Sequence, residues 1–199
     1  DTAALYLEHG GYQHALVIGA ETLSKMMDWT DRSTCVLFGD GAGAAVLSAS
    51  KEDGILSMVQ GSDGFRGDVL NCMARKVNNP YKKSDTALSY VSMNGQEVYR
   101  FAVKTVPKAV TDAVEQAGLQ LEEVDLFLLH QANYRIIEAV SKRLGQPMEK
   151  FPTNLEECGN ISAASVPILL DNVNNHGMMR KGMKIVLAGF GAGLTWGAT

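Results

Sequence analysis

The sequence has few of the features that mark secreted, membrane-bound or nucleic-acid-binding proteins. It contains only three cysteines, an odd number whose spacing fits neither a disulfide framework nor a metal site. No apolar run reaches the length of a membrane span, no signal-peptide pattern opens the chain, and a net charge of −4 gives no support to nucleic-acid binding. We therefore expect a cytoplasmic protein with reduced thiols, no metal site, and no contact with a membrane or nucleic acid.

The 199 residues are numerous enough to bury a substantial core. Apolar residues make up 46% of the chain and charged residues 20%, which is typical of a globular protein. Both ends suggest a piece of a larger fold, because residues 1–7 have the pattern of a helix tail and residues 195–199 that of an interrupted strand.

Short apolar runs alternate with segments of helical periodicity, which predicts an α/β fold with a largely parallel sheet. Pro107, inside the longest helical segment, should kink that helix or restart it. The glycine-rich run 39–43 predicts a turn between two strands; a phosphate-binding loop is disfavoured because neither G-x-G-x-x-G before a helix nor G-K-[ST] is present. The predicted strands are residues 15–20, 35–38, 44–47, 124–129 and 184–188, and the predicted helices residues 95–118, 135–144 and 162–175.

A polar and basic stretch at residues 64–89 separates two parts of the chain. The run FGDGAG at 38–43 resembles FGAG at 190–193, and each lies downstream of a helix–strand unit with a polar residue at the strand tip. We therefore expect two related halves, residues 1–63 and 90–199, joined by the stretch 64–89 as a surface excursion.

Three polar loops carry the candidate chemistry. His130 follows the apolar run 124–129, and a strand there would deliver it to the sheet edge where α/β folds place their ligand crevices. Asn160 lies in the loop GNISAAS at 159–165, and the turn GFGAG at 189–193 completes the set. Each residue alone also has a structural interpretation, as a buried histidine or a turn asparagine. Together, a histidine N–H and an asparagine amide directed at one oxygen would stabilise an enolate, and the turn would offer a backbone N–H to a second oxyanion.

These motifs resemble those of beta-ketoacyl-ACP synthase III, the condensing enzyme that starts bacterial type II fatty-acid synthesis. The resemblance rests on HQAN at 130–133, GNISAAS at 159–165, FGAGLTWG at 190–197, DWTDR at 28–32 and LFGDGAGA at 37–44. It covers essentially the whole chain in the right order. It implies a thiolase-like layered α-β-α-β-α fold built from two similar halves, here incomplete at both ends, in a homodimer.

The resemblance also implies the activity. Such an enzyme condenses an acyl-CoA primer, for which we expect acetyl-CoA, with malonyl-ACP (malonyl-acyl carrier protein) to give 3-oxoacyl-ACP, coenzyme A and carbon dioxide. It requires no cofactor, because the coenzyme A thioester is a substrate. A related thiolase-fold enzyme that primes polyketide or secondary-metabolite chains is the alternative with the same triad.

The resemblance assigns site residues by their positions. His130 and Asn160 match the catalytic His and Asn that bind the malonyl thioester carbonyl, and Ala192 matches an oxyanion-hole position that is usually glycine. Arg135 matches a basic residue that docks acyl carrier protein; with Lys142, on the same helix face, it would meet an acidic partner, or this face is merely solvated. The matches for substrate and coenzyme A binding are Arg32, Gly95, Gln96, Asn133, Gly191 and Gly193.

The nucleophilic cysteine of the family has no match among Cys35, Cys72 and Cys158. The resemblance places it upstream of Asp1, at the start of the helix whose tail opens this chain. Cys158 is disfavoured as a substitute, because the family has an aromatic residue or histidine at that position. We expect this chain alone to be inactive in the full reaction, and an inert fragment or interaction domain is the non-catalytic alternative.

Overall fold

The computed structural model describes residues 1–52, 54–72, 81 and 89–199, so that part of the predicted excursion 64–89 lies outside the described residues. The helices are α1 (Thr2–Glu8), α2 (Gly95–Gln116), α3 (Tyr134–Leu144), α4 (Leu155–Cys158) and α5 (Ser165–Asn175). The strands are β1 (His14–Thr22), β2 (Asp40–Ser48), β3 (Val59–Ser62), β4 (Leu70–Asn71), β5 (Ser92–Met93), β6 (Leu126–Leu129), β7 (Ile185–Gly191) and β8 (Thr195–Ala198). Short 3₁₀ helices lie at Leu23–Met26, Gly64–Val69, Leu121–Glu123, Met148–Lys150 and Ser162–Ala164.

The main sheet has four strands in the order β3-β8-β7-β6. Strands β6 and β7 are parallel, whereas β7–β8 and β3–β8 are antiparallel. The prediction of a largely parallel sheet is therefore wrong for the described residues. The physical reason is the connection between β7 and β8, residues 192–194, which is long enough for a hairpin but too short for a crossover.

Strand β6 is buried on both faces, and its side chains divide the core in two. Phe127 and Leu129 join a cluster with α2 and α3, where Phe127 stacks on Phe151 at a ring-centroid distance of 4.7 Å. Leu126 and Leu128 pack on the opposite side against residues of α5. The sheet is consequently held between helices on both faces, which explains why residues 124–129 are almost wholly apolar.

The antiparallel hairpin β1–β2 forms a further layer beyond α5. The glycine-rich run predicted as a turn is instead the first part of β2, because a helix packs directly on it. A Cβ added at Gly43 would meet Ile168 of α5 at 3.0 Å, and one at Gly41 would meet the same side chain at 3.2 Å. The other face of the hairpin exposes large apolar side chains, with Leu16 61% and Val46 65% accessible. Helices α2 and α3, the main sheet, α5 and the hairpin are thus four successive layers.

The predicted strand at 35–38 is a turn that ends in an isolated bridge. The Asp31 carboxylate accepts hydrogen bonds from the Ser33 N–H at 2.9 Å and the Thr34 hydroxyl at 2.8 Å. The Asp31 carbonyl also accepts from the Cys35 N–H at 3.0 Å. These local bonds stabilise a turn in place of the extended chain that the apolar residues alone would favour.

The predicted helices are confirmed with small shifts at their ends. Helix α2 continues through the buried Pro107 and does not restart there. Helix α3 ends at Gly145, which has a left-handed φ of 64°, as its glycine predicts. Helix α5 starts at Ser165, after a 3₁₀ turn over the residues predicted as its first turn. Within the described ranges, no helix has both the length and the apolar character that crossing a membrane requires.

Candidate active site

His130 is the first residue after β6, and its position follows from the parallel pairing of β6 with β7. The register places Leu129 opposite Ala188, and the His130 N–H donates to the Ala188 carbonyl at 2.7 Å. This pairing brings His130 beside the last residues of β7. The Phe190 ring meets the imidazole edge-on, with the ring centroids 5.2 Å apart.

The His130 imidazole is neutral at pH 7. It is only 8% exposed, and burial lowers its pKa from 6.5 to about 4, because the charged form would lose its hydration. No protein group among the described residues hydrogen bonds to the ring. A neutral imidazole carries one N–H donor and one acceptor nitrogen. His130 therefore offers a hydrogen bond to a ligand oxygen without bringing a formal charge.

The Asn160 side chain is oriented by its own loop. Its Oδ1 accepts the Ser162 N–H at 3.0 Å, which identifies the oxygen and leaves the Nδ2 donors directed elsewhere. The loop is held to the segment after Asp31 by two backbone bonds, from Asn160 N–H to the Leu37 carbonyl and from Gly39 N–H to the Asn160 carbonyl, each 2.9 Å. Gly159 is required beside them, because its φ is 65° and a Cβ would lie 3.3 Å from the Leu37 carbonyl.

His130 and Asn160 lie in the wall between two cavities. The larger cavity, of about 710 Å³, and the smaller, of about 440 Å³, are both lined by His130, Asn160, Phe190 and Gly191. A ligand that occupied either cavity would reach the same two polar side chains. The structure thus brings together the histidine, the asparagine and the glycine-rich turn that the sequence predicted as one site.

The turn after β7 presents a free backbone donor. Ala192 lines the larger cavity, and no acceptor among the described residues takes its N–H. The Ala192 carbonyl, which belongs to the following peptide group, accepts the Thr195 hydroxyl at 3.0 Å and holds the turn together. Gly193, one residue further on, lines neither of the two cavities.

The remaining predicted binding residues divide into two groups. Gly95, Asn133 and Arg135 line the smaller cavity, whereas Arg32 and Gln96 are exposed and line neither of the two cavities. Asn133 has a structural task as well, because its Oδ1 accepts the Arg135 N–H at 2.9 Å and caps α3. The Asn133 side chain can cap α3 and also contact a ligand, because its Nδ2 is separate from the capping Oδ1.

None of the three cysteines lines either cavity. Cys35 lies in the turn after Asp31, Cys72 directs its thiol at the Ser89 carbonyl at 3.3 Å, and Cys158 ends α4. The described residues contain no group of three or more His, Cys, Asp or Glu side chains placed to share a metal ion. The His130 ring, the Asn160 Nδ2 and the Ala192 N–H are hydrogen-bond donors, which suits them to bind a carbonyl or an oxyanion.

Sequence reasoning missed two residues that support the site. Gln131 is completely buried and hydrogen-bonds to Asn154 and Ser165, on either side of Asn160, although nothing local in the sequence distinguishes it from a surface glutamine. Ser162 has a φ of 48° and orients Asn160 through its N–H. The positive φ of Ser162 could not be predicted from the neighbouring residues either, because it results from how the loop packs.

Two family models match most of the chain. The model described as the C-terminal part of 3-oxoacyl-ACP synthase III matches residues 114–199, and the model described as 3-oxoacyl-ACP synthase III matches residues 1–64. The chain belongs to the 3-oxoacyl-ACP synthase III family. The resemblance noted from the motifs is thus confirmed.

Similar proteins and solved structures support this family assignment. The chain is 48% identical over 199 residues to the beta-ketoacyl-ACP synthase III of Clostridium acetobutylicum, covering 100% of this chain and 61% of that protein. The crystal structure of the Thermus thermophilus synthase III is 44% identical, with a TM-score of 0.88 over 99% of this chain and 61% of that one. The priming beta-ketosynthase of the R1128 polyketide pathway is 37% identical, with a TM-score of 0.90 over 100% of this chain and 59% of that one.

These similarities confirm the predicted layered α/β fold of the thiolase type. The chain spans about three fifths of the length of these synthase III relatives.

Proposed function

We propose that this chain carries the decarboxylating part of a synthase III active site. The observation that supports this is the placement of a neutral, buried His130 and the oriented amide of Asn160 in one wall shared by two cavities. Two uncharged donors at one oxygen stabilise developing negative charge without pairing with the malonyl carboxylate. That carboxylate has to leave as carbon dioxide.

In the proposed step, the bond between the malonyl Cα and its carboxylate breaks and carbon dioxide leaves. The electron pair moves into the thioester carbonyl, whose oxygen becomes an enolate held by the His130 N–H and the Asn160 Nδ2. The Cα of this enolate then attacks the carbonyl carbon of the primer acyl group, and the Ala192 N–H stabilises the oxyanion that forms there. When the carrier of the primer leaves, the product is 3-oxoacyl-ACP.

Acylation, the other part of the reaction, is not assigned to any residue of this chain, because none of its cysteines lines the two cavities. We therefore propose that this chain alone decarboxylates malonyl thioesters without completing the condensation, and that the enolate Cα then takes a proton from water to give the acetyl thioester and hydroxide. Coenzyme A takes part as a substrate carrier, and the proposed chemistry requires no resident cofactor.

The test is release of labelled carbon dioxide from a malonyl thioester by the purified chain. His130→Ala and Asn160→Ala are each expected to lower the rate by about 10²–10³-fold, since each removes one donor to the enolate oxygen. His14→Ala is the matched control, because His14 is exposed, its ring hydrogen-bonds to Ser48, and it lines neither of the two cavities. Decarboxylation that persists in His130→Ala would exclude the role given to His130. No release by the unmodified chain would favour the inert-fragment alternative.

We further propose that Arg135 docks the acidic acyl carrier protein. Arg135 is exposed at the smaller cavity, and no carboxylate among the described residues pairs with it. Lys142, on the same helix, is already paired with Glu138 at 2.9 Å. Arg135→Glu should raise KM for malonyl-ACP and leave KM for the uncharged-carrier thioester malonyl-pantetheine unchanged, whereas Lys142→Glu should affect malonyl-ACP less. Equal effects on both thioesters would contradict docking by Arg135.

The second candidate is priming of polyketide chains, which the similarity to the R1128 priming ketosynthase favours. For fatty-acid initiation we propose acetyl-CoA as the primer, a homodimer as the assembly and the cytoplasm as the location. Competition among acyl-CoA thioesters of different length and branching separates the two functions, and sedimentation measures the assembly.

A further inference from the structure

Asn160 lies in the middle of residues 154–165, which connect the start of α4 to the start of α5. Asn154 precedes α4 and is 6% exposed, and Ser165 opens α5 and is completely buried. Besides the backbone bonds of Asn160 to Leu37 and Gly39, the position of Asn160 relative to His130 therefore depends on what holds the two ends of this segment.

Gln131, the residue directly after His130, contacts both ends. Its backbone N–H donates to the Ser165 hydroxyl at 2.7 Å, and its side-chain Oε1 accepts the Asn154 N–H at 3.2 Å. Its Nε2 donates to the Leu129 carbonyl at 2.8 Å, which fixes the side chain to the end of β6. Gln131 is 0% exposed, so that solvent has no access to replace these bonds.

The Asn154 side chain does not add a second hydrogen bond to the one made by its backbone N–H. Both polar atoms of its amide are buried and have no hydrogen-bond partner among the described residues. The bond from the Asn154 N–H to Gln131, whose Nε2 bonds to Leu129, therefore links this end of the segment to the end of β6.

We propose that Gln131 is a positioning residue that sets the distance between His130 and Asn160 by fastening both ends of residues 154–165 to the end of β6. Its effect on the reaction rests on the decarboxylating function proposed above. Two donors that must meet one oxygen tolerate little displacement, and a misplacement of about 1 Å can cost about 10²-fold in rate. Because the enolate oxygen develops only in the decarboxylation step, displacing Asn160 weakens mainly the transition state, and kcat should fall while KM stays nearly unchanged.

The test compares four variants in the decarboxylation assay. Gln131→Met keeps the length of the side chain but removes both polar atoms, and kcat is expected to fall by about tenfold or more while KM stays within about twofold. Ser165→Ala, which leaves the Gln131 side chain intact, should lower kcat through the other end of the segment. Ser141→Ala is the matched control: it also removes a buried hydrogen bond, to the Gln146 carbonyl at 2.7 Å, but lies in α3, outside the site, and should leave kcat unchanged.

Gln131→Glu gives a readout that a merely structural role would not produce. The carboxylate keeps the acceptor for the Asn154 N–H but donates to the Leu129 carbonyl only when it is protonated. The kcat of this variant should therefore rise towards the wild-type value as the pH falls, whereas Gln131→Met shows no such recovery.

Amide hydrogen exchange makes failure of this proposal distinguishable from failure of the proposed function, because it requires no activity. Exchange over residues 154–160 should be faster in Gln131→Met than in the wild type and unchanged in Ser141→Ala. Unchanged exchange in Gln131→Met, or an unchanged kcat, overturns the proposal. If the wild type releases no carbon dioxide, the proposed function is wrong, and the exchange result alone decides whether Gln131 holds the segment.

Discussion

Lowering the pH should destabilise the fold through His130. The pKa of its imidazole is lowered from 6.5 to about 4 in the folded state by burial. Between these values the unfolded chain binds a proton at this residue and the folded chain does not, so the free energy of unfolding falls as the pH falls. Each pH unit contributes about 1.4 kcal/mol, and the whole window from 6.5 to 4 contributes about 3 kcal/mol. The neutral His130 therefore contributes fully to the free energy of unfolding above pH 6.5, and this contribution is lost as the pH falls towards 4.

Urea unfolding of the wild type and of His130→Gln at a series of pH values measures this effect. Carboxylates with lowered pKa values, such as Asp31 and Asp40, which accept hydrogen bonds from neighbouring serines, also reduce stability in acid. They are present in both proteins and cancel in the difference. The wild type should lose about 2–3 kcal/mol more than the variant between pH 7 and pH 4.5. Parallel curves for the two proteins would refute the inference that His130 is buried in its neutral form.

Three further changes test the site and its support. Asn160→Asp replaces an amide donor by a carboxylate, so decarboxylation should fall by about 10²–10³-fold while urea unfolding shows a folded protein. Gly19→Ala brings a Cβ against the Ala163 carbonyl, and urea unfolding should show a loss of about 1–3 kcal/mol; a neutral result contradicts this close packing. Asn133→Ala removes the cap of α3 and should cost about 1 kcal/mol in thermal unfolding, most of which Asn133→Ser should restore.

The parts that the sequence allowed us to predict depend on local patterns. The apolar run ending at Leu129 specified a buried strand, because both of its faces are covered by helices. Gly145 specified the end of α3 through its left-handed conformation. Joining His130, Asn160 and the turn at Ala192 into one site followed from placing polar residues at strand and loop ends, together with the resemblance of the motifs.

The parts that escaped prediction depend on contacts between distant segments. The glycines of β2 look like a turn until Ile168, more than a hundred residues later, packs on them. Strand β3 pairs with β8, which lies more than a hundred residues later, and a run of four residues does not predict such a pairing. The role of Gln131 depends on Asn154 and Ser165, which lie 23 and 34 residues away in sequence.

The glycines of β2 that face α5 link the shape of the larger cavity to the β1–β2 hairpin. Helix α5 contributes Val166 to the larger cavity and rests, through Ile168, on Gly41 and Gly43. One methyl group added on these strands would have to move the Ile168 side chain or α5 by a few tenths of an ångström. A substitution at Gly41 or Gly43, neither of which lines the larger cavity, can therefore change the shape of that cavity while His130 and Asn160 stay the same.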